Sequence, residues 1–222
     1  MDTLESFYGK QRNNAPTDPY EFLVWWHCGY PASEERCAKG WQLLSSQIGV
    51  TPKHLLAAKT AILVDALQAG GMVPKLRAAR LKEIAGRVQD EFAGDLRSAL
   101  SHLSAPQARK ILKTFPGIGN PGADRILLFG KLSPIAAVPS SCPQVLVRLE
   151  QGSESDKYAA NYAAAQAMLE ALPATFGSRI RGYVLINHHG HELCKRIKPA
   201  CASCPLEANC TFAKWRSKQI AP

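Results

Sequence analysis

The sequence predicts an all-α protein, and three observations support that fold class. Apolar residues recur with helical spacing in segments that begin at capping residues or prolines and end near glycines. No segment alternates apolar and polar residues over a useful length, as a half-buried strand would. No Asn-Gly pair or comparable signal marks a β-hairpin. We therefore expect helices throughout the chain.

Size, composition and charge limit the class of protein. With 222 residues, 46% of them hydrophobic, the chain can bury one good core or two small ones. No apolar run approaches the roughly 18 residues of a membrane span, and Met1–Glu5 lacks the basic and apolar parts of a secretory signal. Free thiols fit a reducing cytoplasm, which is the expected location. The net charge of +9 favours a polyanionic partner, with nucleic acid first.

The first helices are predicted from their caps and breakers. Residues 1–16 are polar and form an arm. Thr17-Asp18-Pro19 combines a capping residue with a proline and starts a helix that Gly29-Tyr30-Pro31 ends. A second helix begins near Ser33. A third opens at Thr51-Pro52 and is expected to bend or break before two consecutive glycines.

A fourth helix is predicted from Pro74 to Phe92, with apolar residues on one face. The opposite face is basic and contains Lys75, Arg77, Arg80, Lys82 and Arg87. A solvated helix face is the simplest interpretation of that pattern. Two short helices are expected to follow, over 95–102 and 105–114.

A glycine-rich turn then separates two helices. Its frame is Pro116-Gly-Ile-Gly119, followed by Asn120 as a plausible N-cap and by Pro121 in the first turn of a new helix. Glycines let backbone N–H groups approach an anion, and the N-terminus of a helix favours a phosphate. This turn is therefore a candidate site of contact with a phosphate backbone.

The second half of the chain is also predicted to be helical. A loop over 131–142 leads into a helix around 145–149. An alanine-rich helix over 157–171 and a long helix over 177–193 follow, and the long helix delivers the chain to a cluster of cysteines.

Four cysteines, Cys194, Cys201, Cys204 and Cys210, have the spacing C-x6-C-x2-C-x5-C. Such density predicts a shared metal or paired disulfides, and the short C-x2-C step favours a metal. Four thiolates suit either zinc or a [4Fe–4S] cluster, while a disulfide-stapled tail remains the alternative. The three cations between the first two cysteines would offset the negative charge of a thiolate-bound centre.

The cysteine spacing and the Pro-Gly-Ile-Gly turn resemble the endonuclease III branch of the helix-hairpin-helix DNA glycosylase superfamily. The resemblance covers nearly the whole chain. It implies a six-helix lobe over 18–134 and a cluster lobe combining 1–17 with 135–222, with double-stranded DNA bound in the cleft between them. It also implies a mainly structural [4Fe–4S] cluster on the loop over 194–210. We expect a monomer.

The catalytic positions depart from the pattern of that family. Where bifunctional members have a lysine in the hairpin, this chain has Pro121, which has no amine and cannot form a Schiff base. Where nearly all members have an aspartate, this chain has Pro139, give or take one residue, and no carboxylate lies nearby. Loss of that aspartate would remove an electrostatic stabilisation generally worth several kcal/mol.

The resemblance and the residues together give candidate sites. The catalytic candidates are Asp124 in the helix after the hairpin, Ser140 or Ser141 in the segment that would hold the aspartate, and His27 or Tyr30 near the end of the first capped helix. Tyr30 stands near the family's glutamine that fills the gap left by an extruded base. The predicted DNA contacts are Gly117, Gly119, Asn120 and Gly122 in the hairpin, and Lys195, Arg196 and Lys198 in the cysteine loop.

Three functional hypotheses follow. The first is a DNA-binding, endonuclease III-like repair protein that acts on damaged or mispaired bases without lysine-dependent lyase chemistry. If such a protein is an enzyme, it is expected to be a monofunctional glycosylase with atypical catalytic residues. The second is a non-catalytic iron–sulfur protein that binds DNA or senses damage. The third and most distant is a redox carrier.

Overall fold

The computed structural model describes residues 1–220, with side chains described up to residue 216. Those residues form thirteen α-helices and three short 3-10 turns, with no strand among them, so the all-α prediction is confirmed. The helices are α1 (Asp2–Tyr8), α2 (Pro19–Gly29), α3 (Glu34–Gln47), α4 (Pro52–Ala57), α5 (Thr60–Leu67), α6 (Pro74–Glu91), α7 (Leu96–Ser101), α8 (Ala105–Leu112), α9 (Asn120–Phe129), α10 (Gln144–Glu150), α11 (Tyr158–Glu170), α12 (Phe176–Glu192) and α13 (Thr211–Ile220). None of the helices in this part of the chain is long and apolar enough to cross a membrane.

The chain divides into two compact units, one over 14–119 and one that joins 1–13 to 120–222. The sequence predicted boundaries at 17/18 and 134/135, whereas the units of the structure meet at 13/14 and 119/120. Helix α9 therefore belongs to the second unit instead of the first. The reason is packing, because Leu128 and Phe129 of α9 are buried against Tyr183 and Val184 of α12. The last two residues of the predicted second lobe lie outside the described chain.

In the unit over 14–119, α2 is almost entirely buried. Its start follows the sequence signal, since the Asp18 carboxylate accepts hydrogen bonds from the N–H groups of Tyr20 and Glu21. Its end lies against two close backbone neighbours. A Cβ on Gly40 would lie 2.8 Å from the Cys28 carbonyl oxygen, and a side chain on Gly70 could not be accommodated beside the same oxygen. This close approach fixes the position of residues 27–30.

The basic face of α6 is partly used inside the fold. Lys82 donates hydrogen bonds to the carbonyls of Leu56 and Ala58, at the break between α4 and α5. Arg87 pairs with Glu91 on its own helix and donates to the Thr114 carbonyl. The simple solvated face expected from the sequence is therefore wrong for these two cations, because they stabilise backbone carbonyls of neighbouring segments.

The second unit has its core between α10, α11 and α12. Apolar residues of these helices and of the preceding loop are buried together, among them Val138, Val147, Ala165 and Ile186. Helix α1 is held against α12 by charge, since Arg181 pairs with both Asp2 and Glu5. Helix α13 follows the cysteine loop, and the side chain of Lys218 lies outside the described residues.

Candidate nucleic-acid interface and candidate metal centre

The turn after α8 has the geometry that its glycines require. Gly117 has a φ of 70°, in the left-handed region that favours glycine. The turn is closed by a hydrogen bond of 3.3 Å from the Ile118 N–H to the Phe115 carbonyl. Gly117 and Gly119 are exposed while Ile118 is buried, so the turn is anchored by its apolar residue and presents its glycines to solvent.

Helix α9 starts immediately after this turn. Asn120 is its first helical residue, whereas the sequence predicted Asn120 as the N-cap and Pro121 as the first helical residue. Asn120 is exposed and Gly122 is buried. Of the four predicted hairpin contacts, Gly117, Gly119 and Asn120 are therefore accessible, whereas Gly122 packs inside the protein.

A cavity of about 250 Å³ lies within the unit over 14–119. It is lined by Trp26, His27, Tyr30, Pro31, Met72, Val73, Arg77, Arg80 and Gly117. Two arginines and a histidine line it, and no Asp or Glu is among the lining residues. The cavity adjoins the exposed turn through Gly117, where a Cβ would lie 3.5 Å from Arg80 Nη1.

Arg77 is one of the buried residues that line this cavity. It is 6% exposed and donates hydrogen bonds to three backbone carbonyls, those of His27, Gly29 and Met72, at 3.1, 3.0 and 2.7 Å. Burial lowers the pKa of Arg77 from its ordinary value, and nearby Arg80 lowers it further. Arg77 thus ties the end of α2 to the segment before α6, and no described carboxylate forms an ion pair with it.

His27 lies beside Arg77 and is 3% exposed. Its Nδ1 is 2.8 Å from the Leu23 carbonyl, which can only accept, so Nδ1 carries the proton. Burial lowers the pKa of His27 to about 4, opposed by the backbone of Leu23 and Pro116 and reinforced by the two arginines. At neutral pH the imidazole is neutral, and its Nε2 faces the Pro116 backbone without a well-formed hydrogen bond to any described residue.

Exposed apolar side chains stand at the rim of the cavity. Met72 is 80% exposed and Val73 is 58% exposed. Tyr30 is 37% exposed and stacks on Trp26 with ring centroids 3.6 Å apart. Sequence reasoning singled out Tyr30 and missed Met72, although an apolar pair between Gly71 and Pro74 was a visible signal.

The predicted catalytic residue Asp124 is buried completely. Its carboxylate accepts a hydrogen bond of 2.8 Å from the Tyr162 hydroxyl and one of 3.0 Å from the Gln166 amide. Burial and this carboxylate together raise the pKa of Tyr162 well above its usual range. The placement ties α9 to α11 and leaves no exposed surface for a substrate, and the catalytic role stays a prediction.

The segment where an aspartate was expected contains no carboxylate. Pro139 is buried, and Ser140 is half-buried with its carbonyl accepting a hydrogen bond from Tyr158 at 3.0 Å. Ser141 is exposed, and its hydroxyl lies 3.1 Å from His191 Nε2. Tyr158 stacks on the Tyr162 that contacts Asp124, so α11 links these two candidate positions.

The four cysteines of the loop line one apolar cavity together with residues of α10, α12 and α13. They form no disulfide with one another. Burial raises the pKa of Cys194 to about 11, with Arg148 opposing that rise. In the described residues, no three His, Cys, Asp or Glu side chains are arranged to hold a single metal ion.

Arg148 of α10 holds the first arm of the cysteine loop. It is 5% exposed, donates to the carbonyls of Lys195 and Arg196 at 2.8 and 3.0 Å, and pairs with Glu154 at 2.6 Å. Its Nη1 also lies 3.8 Å from Cys194 Sγ. The loop therefore has a fixed path around a buried cation whose charge a carboxylate compensates.

The predicted DNA-binding cations of this loop are on its surface. Lys195, Arg196 and Lys198 are all exposed. Arg196 lies 3.8 Å from Glu154, so part of its charge is compensated, while Lys198 adopts a left-handed backbone with a φ of 53°. The positions are compatible with a surface that attracts a polyanion.

No protein-family model matches the sequence, and no curated protein matches it. Solved structures match over nearly the full length. A non-covalent endonuclease III–DNA complex has a TM-score of 0.77 and 19% identity, covering 98% of this chain and 94% of that one. A trapped covalent endonuclease III–DNA intermediate has a TM-score of 0.76 and 20% identity, covering 97% and 94%.

A thermostable thymine-DNA glycosylase is similar to this chain with a TM-score of 0.72 and 18% identity, covering 96% of this chain and 94% of that one. The three structures agree in architecture with the helices described above, although sequence identity is low. The chain therefore has the fold of endonuclease III and of this thymine-DNA glycosylase.

Proposed function

We propose that this protein binds double-stranded DNA and recognises damaged or mispaired bases in DNA repair, without lysine-dependent strand cleavage. The observation that carries the proposal is the surface of the unit over 14–119. There an exposed glycine turn adjoins a cation-lined cavity with an exposed methionine and a stacked tyrosine at its rim. The fold shared with DNA glycosylases supports the same partner.

Contact with the DNA backbone would come from the turn. The exposed backbone at Gly117 and Gly119 has no side chain to keep a phosphate away, and Arg80 supplies a positive charge beside it. Phosphate contacts of this kind position a protein on the duplex without reading its sequence. Lys195 and Lys198 of the cysteine loop would add to the attraction.

Recognition of a weakened base pair would use the rim of the cavity. Apolar side chains such as Met72 can insert between base steps, and aromatic side chains such as Tyr30 can stack on bases. A damaged or mispaired base costs less to unstack than a normal pair, which by itself gives selectivity. The cavity of about 250 Å³ would receive the displaced group.

The charge of the cavity favours recognition over excision. Hydrolysis of an N-glycosidic bond develops positive charge on the sugar, and a carboxylate normally stabilises it. Here Arg77 and Arg80 line the cavity without any carboxylate, and Pro121 replaces the amine that a lyase needs. A sensor without base release is therefore the form of the function that we favour, and a monofunctional glycosylase is the second candidate.

We also propose that Cys194, Cys201, Cys204 and Cys210 hold a [4Fe–4S] cluster. The donor set fits, because four thiols line one apolar cavity, and the Leu206 N–H lies 3.4 Å from Cys204 Sγ as a hydrogen bond to sulfur. When bound, the group would cross-link the loop as a structural centre.

The test of the proposed function combines binding with chemistry. We propose that the protein is a cytoplasmic monomer. The purified protein is incubated with matched duplexes and with duplexes that carry mismatched, oxidised, deaminated or abasic nucleotides. We expect preferential binding to some of the altered duplexes, with neither base release nor strand cleavage. Base release would replace the sensor with the glycosylase. Cleavage of abasic strands through a borohydride-trappable Schiff base would contradict the lyase-free assignment.

A further inference from the structure

A hydrogen-bonded chain runs from the N-terminal helix to the cysteine loop. The Tyr8 hydroxyl of α1 lies 2.8 Å from His189 Nδ1 of α12, and His189 Nε2 lies 3.6 Å from Cys204 Sγ. His189 is 1% exposed, so its two ring nitrogens have these partners rather than bulk water. Tyr8 lies 181 positions before His189, whereas Cys204 lies 15 positions after it.

Helix α1 is placed so that Tyr8 reaches this position. Arg181 of α12 pairs with Asp2 at 2.7 Å and with Glu5 at 2.6 Å, which fixes α1 along α12. The Tyr8 ring also makes an edge-on contact with His188, with ring centroids 4.6 Å apart. These contacts restrict the position of the Tyr8 ring independently of its hydrogen bond to His189.

The direction of the hydrogen bonds follows from the donors available. A thiolate that binds a metal has no proton and can only accept, so Nε2 must carry the proton of a neutral His189. Nδ1 is then an acceptor, and the Tyr8 hydroxyl donates to it. A tyrosine hydroxyl keeps its proton at neutral pH, and burial raises the pKa of Tyr8 to about 12.

We propose that Tyr8 is a positioning residue for the metal centre, holding His189 in the tautomer whose Nε2–H donates to the Cys204 thiolate. This inference rests on the proposed metal centre. Without the Tyr8 hydroxyl, His189 could place its proton on Nδ1 instead, and Cys204 Sγ would then lose its donor. Outer-shell partners of this kind orient ligands and affect metal affinity and reduction potential.

The test begins with the iron, sulfide and zinc content of the purified full-length protein. Tyr8→Phe then removes one hydroxyl and keeps the ring contacts. We expect the metal to be lost to a chelator about 10-fold faster than from the unmodified protein. If the centre is iron–sulfur, its reduction potential should shift to a more negative value, because a hydrogen bond to sulfur stabilises the reduced state.

Three variants separate positioning from general stability. Tyr158→Phe loses a hydroxyl hydrogen bond of 3.0 Å elsewhere in the same unit and should leave both readouts unchanged. His189→Gln keeps an N–H donor and should retain the metal better than His189→Leu. A Tyr8→Phe protein with unchanged metal loss and potential would overturn the proposal. A purified protein without metal would instead overturn the metal centre itself, and this assignment with it.

Discussion

Two buried arginines organise the two candidate sites, and they differ in how their charge is compensated. Arg77 donates to three backbone carbonyls and has no carboxylate partner among the described residues. Arg148 donates to two carbonyls of the cysteine loop and also pairs with Glu154. Each arginine holds a loop in place by donating hydrogen bonds to its backbone carbonyls. The charge of the Arg148 guanidinium is therefore compensated by a carboxylate, whereas among the described residues that of Arg77 is not.

That difference matches the chemistry proposed for each site. The cavity beside Arg77 has the charge that a phosphate or an oxygen-bearing base would favour, and it lacks the carboxylate that would stabilise a developing sugar cation. Around Arg148, Glu154 offsets the guanidinium, and the exposed cations of the same loop would offset the negative charge of thiolates. One site is therefore suited to recognising an anion and the other to holding a structural centre.

The largest expected effect is that of Arg77→Met. It removes three hydrogen bonds to backbone carbonyls, two of them buried, although the Gly29 carbonyl still accepts one from the Ala32 N–H at 2.9 Å. The variant should lower the free energy of unfolding by more than about 3 kcal/mol. Urea unfolding of the full chain measures this loss. Arg80→Met, on the same helix and half-buried, should change the same quantity by less than about 1 kcal/mol. Equal losses in the two variants would contradict the anchoring role of Arg77.

The corresponding change in the other unit, Arg148→Met, should act mainly on the proposed metal centre. Two loop carbonyls lose their donor and Glu154 keeps only its contact with Arg196 at 3.8 Å, so the loop should become less ordered around its cysteines. We expect metal retention against a chelator to fall about 10-fold. Retention equal to that of the unmodified protein would show that the loop is fixed by other contacts.

Protonation of His27 should make stability depend on pH. Its pKa is about 4 in the fold and near 6.5 when unfolded, so the unfolded state binds more protons between those values. Stability is therefore lost as the pH falls, by about 2 kcal/mol between pH 7 and pH 5. His27→Gln lacks this proton uptake, and urea unfolding of both proteins at each pH isolates the difference. Parallel pH profiles would place His27 in a more solvated environment.

Asp124→Asn should reduce stability and leave DNA binding unchanged. Replacing the carboxylate weakens the hydrogen bonds from Tyr162 and Gln166, at a cost of about 1 to 2 kcal/mol. Thermal unfolding and duplex titration measure the two effects separately. If the unmodified protein releases a base and the variant folds but does not, the catalytic prediction for Asp124 would be supported instead.

The smallest expected effect is that of Arg80→Ala on the salt dependence of DNA binding. Removing one phosphate contact should reduce the slope of log K against log salt by about 1. Arg87→Ala is the matched control on the same helix, because Glu91 already compensates its charge. Equal changes in both slopes would mean that α6 contributes only general charge.

The local signals in the sequence predicted the helices well. Helices begin after Asp18, Ser33 and Thr51 and at Pro74, as expected from capping residues and prolines. Such signals act within a few residues and need no tertiary information. The exact start at Asn120 was predicted one residue late, which is the usual uncertainty of helix ends.

The burial of charged residues could not be predicted in the same way. Arg77 was assigned to a basic helix face because its spacing fits one, but two of its three partners lie 50 and 48 positions earlier in the chain. Asp124 was offered as a catalytic carboxylate because it follows the hairpin, and its two partners come from α11. Both outcomes depend on contacts between segments that are far apart in sequence.

The most direct test of the central claim is a titration of the full-length protein with a fluorescent duplex that carries one mismatch, compared with the matched duplex over a range of salt concentrations. We predict tighter binding to the mismatched duplex and a linear fall of log K with log salt for both. Equal affinity for the two duplexes would contradict recognition of weakened base pairs. Absence of binding, or an affinity independent of salt, would contradict DNA as the partner.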